Sequence, residues 1–231
     1  MVSIMLVDDH AVVRSGLRLL LAAEPDFQVV GEAGNGQEAA LVAESLLPDI
    51  IVLELIMKGI NGVEVTRNLC KKHPNTGIVV FSLSGSEHNV IEALRAGARG
   101  YVLKDSHHKE VVEAIRKVAA GGRYLCSGLM EQLFPNRKSD NTLRLDHGLT
   151  ARERDVLRLS AQGSTCMEVA SLFGISRRTV ETHRANILHK LGQSRPASLY
   201  IYAFQNGMVN GTNSSMMNSE AVVHHGNSDG I

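Results

Sequence analysis

"PDIIVLELIMKGINGVEV", residues 48–65, holds an apolar run of strand length, Ile50 to Leu53, that ends in a single carboxylate, Glu54. A Gly-bearing turn and a helical pattern follow. A short continuous apolar run bounded by turn residues is the signature of a strand covered on both faces. The same unit recurs on either side. Ser3–Val7, Gln28–Ala33, Ile50–Glu54, Gly77–Ser82 and Arg99–Leu103 read as strands. His10–Ala23, Gly36–Leu46, Gly62–His73, Glu87–Ala96 and His107–Gly121 read as the helices between and after them. Pro48, Pro74, Gly97 and Gly100 punctuate the borders. Strands alternating with helices imply parallel pairing through right-handed crossovers, so residues 1–121 are expected to form a five-stranded, doubly wound α/β domain.

The totals fit a globular protein of one large or two ordinary domains: 231 residues, 44% hydrophobic and 21% charged, without tryptophan. No apolar run approaches the roughly 20 residues of a membrane helix. The opening "MVSIMLVDDH" lacks the basic flank and cleavage site of a signal peptide. Three well-separated cysteines, Cys70, Cys126 and Cys166, argue against a disulfide framework and for the reducing cytoplasm. A net charge of zero conceals an asymmetry. Residues 1–125 carry 13 Lys/Arg against 15 Asp/Glu, whereas residues 149–206 carry 8 against 4.

Beyond residue 121 the pattern loosens. A short helical stretch, Leu129–Phe134, runs into "PNRKSDNTLRLDHG", and residues 122–148 read as an interdomain linker. Order resumes with "TARE" at 150–153, a capping box. Helices are expected at Ala151–Gln162, Cys166–Phe173, Arg177–Leu191 and Pro196–Asn206, making 149–208 a four-helix domain. Residues 209–231, rich in Gly, Asn and Ser, read as a disordered tail.

In open parallel sheets, ligands bind beyond the carboxyl ends of the strands. Asp8 and Asp9 end the first strand, Glu54 the third and Ser82 the fourth, and Lys104 follows the fifth. Three carboxylates at one rim repel each other unless a cation joins them, and an all-oxygen set suits Mg²⁺. A hydroxyl and a lysine facing them are what the remaining oxygens of a phosphoryl group need. One acidic residue at a strand end is ordinarily a cap or a solvated turn residue, and Asp9 alone reads as an N-cap for the helix at His10. Four strand ends with compatible chemistry read as a site. The histidine pairs His107/His108 and His224/His225 lack metal-ligand spacing and read as solvated.

With "VDDH" at 7–10, "DIIVLELIMKGINGVE" at 49–64, "FSLSG" at 81–85 and "ALRAGARGYVLKD" at 93–105, residues 1–121 resemble the receiver domain of bacterial two-component response regulators, a flavodoxin-like fold. The resemblance implies that Asp8 and Asp9 hold Mg²⁺ together with the Glu54 position and the Ile56 carbonyl. It makes Ser82 the hydroxyl that follows the phosphoryl group, Tyr101 the aromatic that reorients, and Lys104 the ion-pair partner. Glu54 stands at the phosphoacceptor position, where the family has aspartate. Lys58 stands where proline is usual, a candidate counter-ion for Glu54 or simply a solvated lysine. The additional methylene of glutamate displaces the attacking oxygen by about a bond length. Misplacement of about 1 Å costs phosphoryl transfer on the order of 100-fold. The same reach lets Glu54 imitate the phosphorylated state instead of accepting phosphate.

"EVASLFGISRRTVETHRANILHKLG" at 168–192 reads as helix, tight turn, helix. Val180, Ile187, Leu188 and Leu191 form the inner stripe of the second helix. Arg177, Arg178, Thr179, Glu181, Thr182, Arg184, Ala185 and Lys190 form its outer face. A helix of this length fits the major groove, with Arg177, Arg178 and Lys190 best placed as phosphate clamps. With "LTARERDVLRLSAQG" before it, the segment resembles the LuxR-type DNA-binding domain, and the whole chain resembles the NarL/FixJ class of response regulators. That resemblance implies a homodimer on double-stranded DNA, with Leu199, Tyr200 and Ala203 of the last helix as the dimer contact or else simply as core packing within the domain, and a sensor histidine kinase as partner if the receiver is phosphorylatable. The chain is therefore expected to be a cytoplasmic transcriptional regulator and not an enzyme. The competing readings are a receiver-type interaction module that signals without phosphorylation and, less favoured, a Mg²⁺-dependent phosphohydrolase. The phosphohydrolase would need a general acid/base and a lid that the short loops do not supply.

Overall fold

The computed structural model describes residues 1–134 and 148–209. The first part runs β1 (Val2–Val7), α1 (Ala11–Ala22), β2 (Phe27–Ala33), α2 (Gly36–Leu46), β3 (Ile50–Leu53), β4 (Ile56–Met57), β5 (Ile60–Asn61), α3 (Gly62–Lys72), β6 (Gly77–Ser82), α4 (Glu87–Ala96), β7 (Gly100–Leu103), α5 (His108–Ala119), β8 (Tyr124–Leu125) and α6 (Ser127–Leu133). The main sheet has the order β2-β1-β3-β6-β7-β8, with every neighbouring pair parallel. Ile4–Val7 of β1, all of β3, and Ile78–Val80 of β6 are buried, because helices cover both sheet faces. This is the expected doubly wound α/β domain.

Two features go beyond the expectation. A two-residue strand, β8, adds to the edge of the five-stranded sheet, pairing Gly100 with Tyr124 and Tyr101 with Leu125. A small antiparallel ribbon, β4 with β5, fills the loop after Glu54. The start of the expected linker is therefore structured. Tyr124, Leu125, Cys126, Leu129, Leu133 and Phe134 are all buried, and only 135–147 of that segment lies outside the described residues. Of the expected tail, Val209 is described and buried, and 210–231 lies outside. The three cysteines are free thiols.

The second part has α7 (Ala151–Ala161), α8 (Cys166–Phe173), α9 (Arg177–Lys190) and α10 (Ala197–Gln205). Local chemistry sets the borders. Thr150 with Glu153, and Thr165 with Glu168, form reciprocal capping boxes. The Ser176 hydroxyl accepts from the Thr179 N–H at the start of α9. Gly174 takes φ +64 between α8 and α9, a turn that a side chain would strain. Pro196, the expected first residue, is the N-cap of α10, and the helix starts one residue later at Ala197.

The two parts touch through α10, which packs on α7 and also on α4. Arg195 Nη1 lies 3.1 Å from Glu87 Oε2, and the Arg95 guanidinium covers the Tyr200 ring at 5.2 Å. Arg123 covers Phe204 at 5.2 Å and donates to the Val209 carbonyl at 2.8 Å.

Candidate functional site

The parallel register brings the acidic rim together. Val7 pairs with Leu53, Leu53 with Val80 and Ser82 with Leu103, so the residues just after β1, β3 and β7 face the end of β6. Asp8, Glu54 and Ser82 are all buried. Glu54 has both oxygens engaged. Oε1 accepts from the Ser82 hydroxyl at 2.5 Å and from the Ile56 N–H at 2.9 Å, and Oε2 meets Lys104 Nζ at 2.8 Å. Lys104 Nζ also reaches Asp8 Oδ2 at 2.5 Å. Burial opposes the charge on Lys104, but its bonds to Asp8 and Glu54 outweigh that and raise its pKa.

The aromatic position is turned fully inward. Tyr101 is completely buried, and its hydroxyl donates to the Ser84 carbonyl at 2.5 Å. Burial, with the charge of Glu54 second, pushes its phenol upward. Gly62 completes the frame, because a Cβ there would fall 2.5 Å from the backbone of Leu55. Only glycine lets α3 start so close to the residue after Glu54.

Three contacts around Asp8 and Asp9 were not legible beforehand. His10, and not Asp9, occupies the N-cap position of α1, and its Nδ1 lies 2.8 Å from Asp9 Oδ1 and 3.2 Å from Asp8 Oδ1. Arg14 donates to the Asp8 carbonyl at 2.6 Å. Lys58 meets the rim through its backbone: its N–H donates to Asp9 Oδ2 at 3.3 Å, a bond that proline at this position lacks. Lys58 is therefore not the counter-ion of Glu54. Lys104 fills that role because β7 ends directly beside β6. Ile56, in β4, is brought in by its N–H on Glu54.

On α9 the stripe and the face separate as expected. Val180 and Ile187 are buried, while Arg177, Arg178, Thr179, Glu181, Thr182 and Ala185 are exposed. Arg177 pairs with Glu181 one turn on, at 2.7 Å, and Thr182 donates to the Arg178 carbonyl. Arg184 is half-buried, with Nη1 3.2 Å from Cys166 Sγ. Two expectations need correction. Lys190 is not a spare phosphate clamp: Nζ lies 2.7 Å from Glu153 Oε2 and 3.0 Å from the Gly148 carbonyl, tying α9 to the start of α7. Leu199, Tyr200 and Ala203 do not present a dimer surface in this conformation. All three are buried, and Tyr200 lies beneath Arg95.

A flavodoxin-like sheet with an acidic, hydroxyl- and lysine-bearing rim, joined to a helix-turn-helix with an exposed basic helix, defines a signal-receiving regulatory protein. Comparison with known proteins is specific. Residues 4–116 match the response regulator receiver domain, and residues 147–203 match the luxR family of bacterial regulatory proteins. The chain is 36% identical over 211 residues to the transcriptional regulatory protein LiaR of Bacillus subtilis, covering 91% of this chain and 100% of that one. It is 40% identical over 191 residues to the nitrate/nitrite response regulator protein NarL of Escherichia coli, covering 82% of this chain and 88% of the other. A crystal structure of a LuxR-family two-component response regulator from Aurantimonas superposes with a TM-score of 0.55 at 36% identity. It covers 57% of this chain and 94% of that one. The chain belongs to the response-regulator family: it is a DNA-binding response regulator of a two-component system. Among the described residues no helix is long and apolar enough to cross a membrane.

Proposed function

We propose that this chain is a cytoplasmic transcription regulator whose receiver is held by its own Glu54 in place of a phosphorylated aspartate. One observation carries the reading. The Glu54 carboxylate makes the contacts, to the Ser82 hydroxyl and the Lys104 ammonium, that the family resemblance assigns to a phosphoryl group. The inward Tyr101 agrees with it. A carboxylate lacks the second negative charge and the three acceptor oxygens of a phosphoryl group, so Glu54 supplies only part of the switching free energy. The expected state is intermediate in DNA binding and self-association.

Mg²⁺ fits beside Asp8 and Asp9. Asp9 Oδ1 is buried without an aligned donor, and the rim oxygens suit a hard cation. When bound, the ion supplies positive charge that offsets the rim carboxylates and polarises phosphoryl oxygens. Asp8 and Asp9 are the residues that would hold it, Asp8 by giving up its bond to Lys104, while Ser82, Lys104 and the Ile56 N–H keep Glu54 engaged.

The second half reads DNA through α9. Arg177 and Arg178, exposed at its amino end, serve phosphates, and Thr179, Thr182 and Ala185 face base edges. A homodimer on duplex DNA through α10 requires that helix to leave α4 first. A sensor histidine kinase remains the upstream partner for a receiver carrying aspartate.

The test is acetyl phosphate with Mg²⁺ followed by intact mass. The chain as written gains no stable phosphoryl group, whereas Glu54→Asp gains one. A stable adduct on Glu54 overturns the reading.

A further inference from the structure

A ring nitrogen meets the two rim aspartates on the oxygens that Lys104 and Lys58 leave. His10 Nδ1 lies 2.8 Å from Asp9 Oδ1 and 3.2 Å from Asp8 Oδ1, and the three atoms lie within 4.8 Å of one another. The other oxygens are engaged, Asp8 Oδ2 by Lys104 and Asp9 Oδ2 by the Lys58 N–H. Asp8 Oδ1 accepts from the His10 backbone N–H at 2.8 Å, which leaves it a second lone pair. The Asp8 side chain is 4% exposed, and Asp9 Oδ1 is buried with no hydrogen bond despite the imidazole beside it. An imidazolium acting as counter-ion to Asp9 would point its N–H at that oxygen. A close approach without that alignment is instead how donors gather around one ion. Ligands at about 2.1 Å in neighbouring positions of an octahedron stand about 3 Å apart. His10 is also free for the task, since it stands at the N-cap of α1 without a side-chain cap bond. With the proton on Nε2, the Nδ1 lone pair faces the aspartates, and the ring is 64% exposed, so water serves the other nitrogen.

We propose that Asp8 Oδ1, Asp9 Oδ1 and His10 Nδ1 together bind a first-row divalent transition cation, with water in its remaining positions. The inference rests on the reading of Asp8 and Asp9 as a cation site, and adds to it a nitrogen ligand and a metal class. The nitrogen decides the class. Mg²⁺ keeps oxygen ligands and several of its own waters, whereas imidazole suits first-row transition ions. The place of the ion differs as well. Mg²⁺ reaching toward Glu54 takes Asp8 from Lys104, but an ion on the Oδ1 side leaves Lys104 on Asp8 Oδ2 and on Glu54. Binding there keeps the Glu54 contacts intact.

The probe is Mn²⁺, paramagnetic and the weakest binder of that series, titrated into the full chain and followed by electron paramagnetic resonance, with Mg²⁺ as competitor. One Mn²⁺ per chain is expected, with the electron-spin-echo signature of a directly bound imidazole nitrogen. His10→Ala, at an exposed position that makes no cap bond, should keep the fold by circular dichroism. It should lose the nitrogen signature and weaken Mn²⁺ by about 10-fold, at least what an outer-shell partner of a metal site is worth, while Mg²⁺ affinity holds. Asp9→Asn should remove the nitrogen signature too, which a histidine elsewhere in the chain would not do. Mn²⁺ bound without that signature, or with a signature that survives His10→Ala, overturns the proposal and leaves the cation site at Asp8 and Asp9 standing. Equal weakening of Mg²⁺ and Mn²⁺ in His10→Ala overturns the choice of metal class in the same way. No saturable binding of either ion overturns both readings.

Discussion

The Ser82 hydroxyl donates to Glu54 Oε1 at 2.5 Å, between two side chains that solvent scarcely reaches. With Lys104 on the other carboxylate oxygen, the Glu54 carboxylate is already fully engaged by the chain itself. Lys104 bridges Asp8 and Glu54 across this rim. Lys104→Met should therefore leave two buried carboxylates facing each other without compensation. Breaking a buried ion pair in this way costs about 3–5 kcal/mol. Urea denaturation in EDTA should show that loss, and Mg²⁺ should restore part of it in the variant. A loss of stability that Mg²⁺ does not relieve argues against a cation site at Asp8 and Asp9.

Glu54 and Lys104 were legible in the sequence because both stand at strand ends, and a parallel sheet brings all its carboxyl ends to one rim. For Lys58 the solvated alternative holds, its side chain being exposed. The residue type suggested a charged partner, but the ribbon of β4 and β5 turns its backbone toward the rim, so the N–H makes the contact. β8 was missed because two residues, Tyr124 and Leu125, carry no periodicity, and their strand character comes only from the open edge of β7. What covers Lys190 and Tyr200 was not legible for a common reason. Helical periodicity tells which face is polar or apolar, not whether a distant element covers it, and the elements that cover these two are Glu153 and Arg95.

Leu47 ends α2 at φ +45, the one non-glycine residue with positive φ among those described, and its side chain is exposed. A Cβ in the left-handed region costs about 1–2 kcal/mol. Glycine removes that strain but gives the unfolded chain additional freedom worth about 0.4–1 kcal/mol. Leu47→Gly should thus stabilise the receiver half by roughly 0.5–1 kcal/mol, the balance of these two terms. A chemical denaturation midpoint that falls on substitution refutes the strain.

Glu153 links the capping box of α7 to Lys190 at the end of α9. The bond from Lys190 and those from Thr150 hold its carboxyl below the ordinary glutamate value of 4.5. A depressed carboxyl contributes stability that is fully present above the unfolded value and is lost as pH falls through the folded one. The contribution should therefore persist at neutral pH and fade below about pH 4.5. Glu153→Gln should melt at a lower temperature than the parent at pH 7, and the difference should shrink as the pH is lowered below that window. A difference that stays constant between pH 7 and pH 3 would remove the charge from the explanation.

On α9, Arg178 and Thr182 should separate affinity from specificity. Phosphate contacts release counter-ions, so binding of the chain to duplex DNA should weaken steeply with added salt. Arg178→Ala should weaken binding to all sequences alike and reduce that salt slope by about one counter-ion. Thr182→Ala should instead change which sequence is preferred, with a penalty of about 1–3 kcal/mol at the affected base pair. Selection from a random duplex library at two salt concentrations distinguishes the two effects. Identical sequence preferences for the parent and Thr182→Ala would move base recognition off this part of the helix.

If α10 is the dimer contact, its docking on α4 opposes assembly. Glu87 and Arg195 meet at 3.1 Å across the domains, and Tyr200 lies beneath Arg95 on the same face. An exposed ion pair is worth only about 0–1 kcal/mol, so its simple loss should barely shift the arrangement. Reversing one charge replaces attraction with repulsion and should favour undocking. Glu87→Arg is thus expected to raise the radius of gyration in solution scattering and to increase self-association, because Tyr200 loses its cover by Arg95. The double reversal, Glu87→Arg with Arg195→Glu, restores the attraction and should return both readouts toward the parent. That rescue separates the ion pair from any general damage to α4. If Glu87→Arg leaves the scattering and the sedimentation behaviour unchanged, the docked face of α10 does not control assembly, and the proposed route from Glu54 to DNA binding does not run through it.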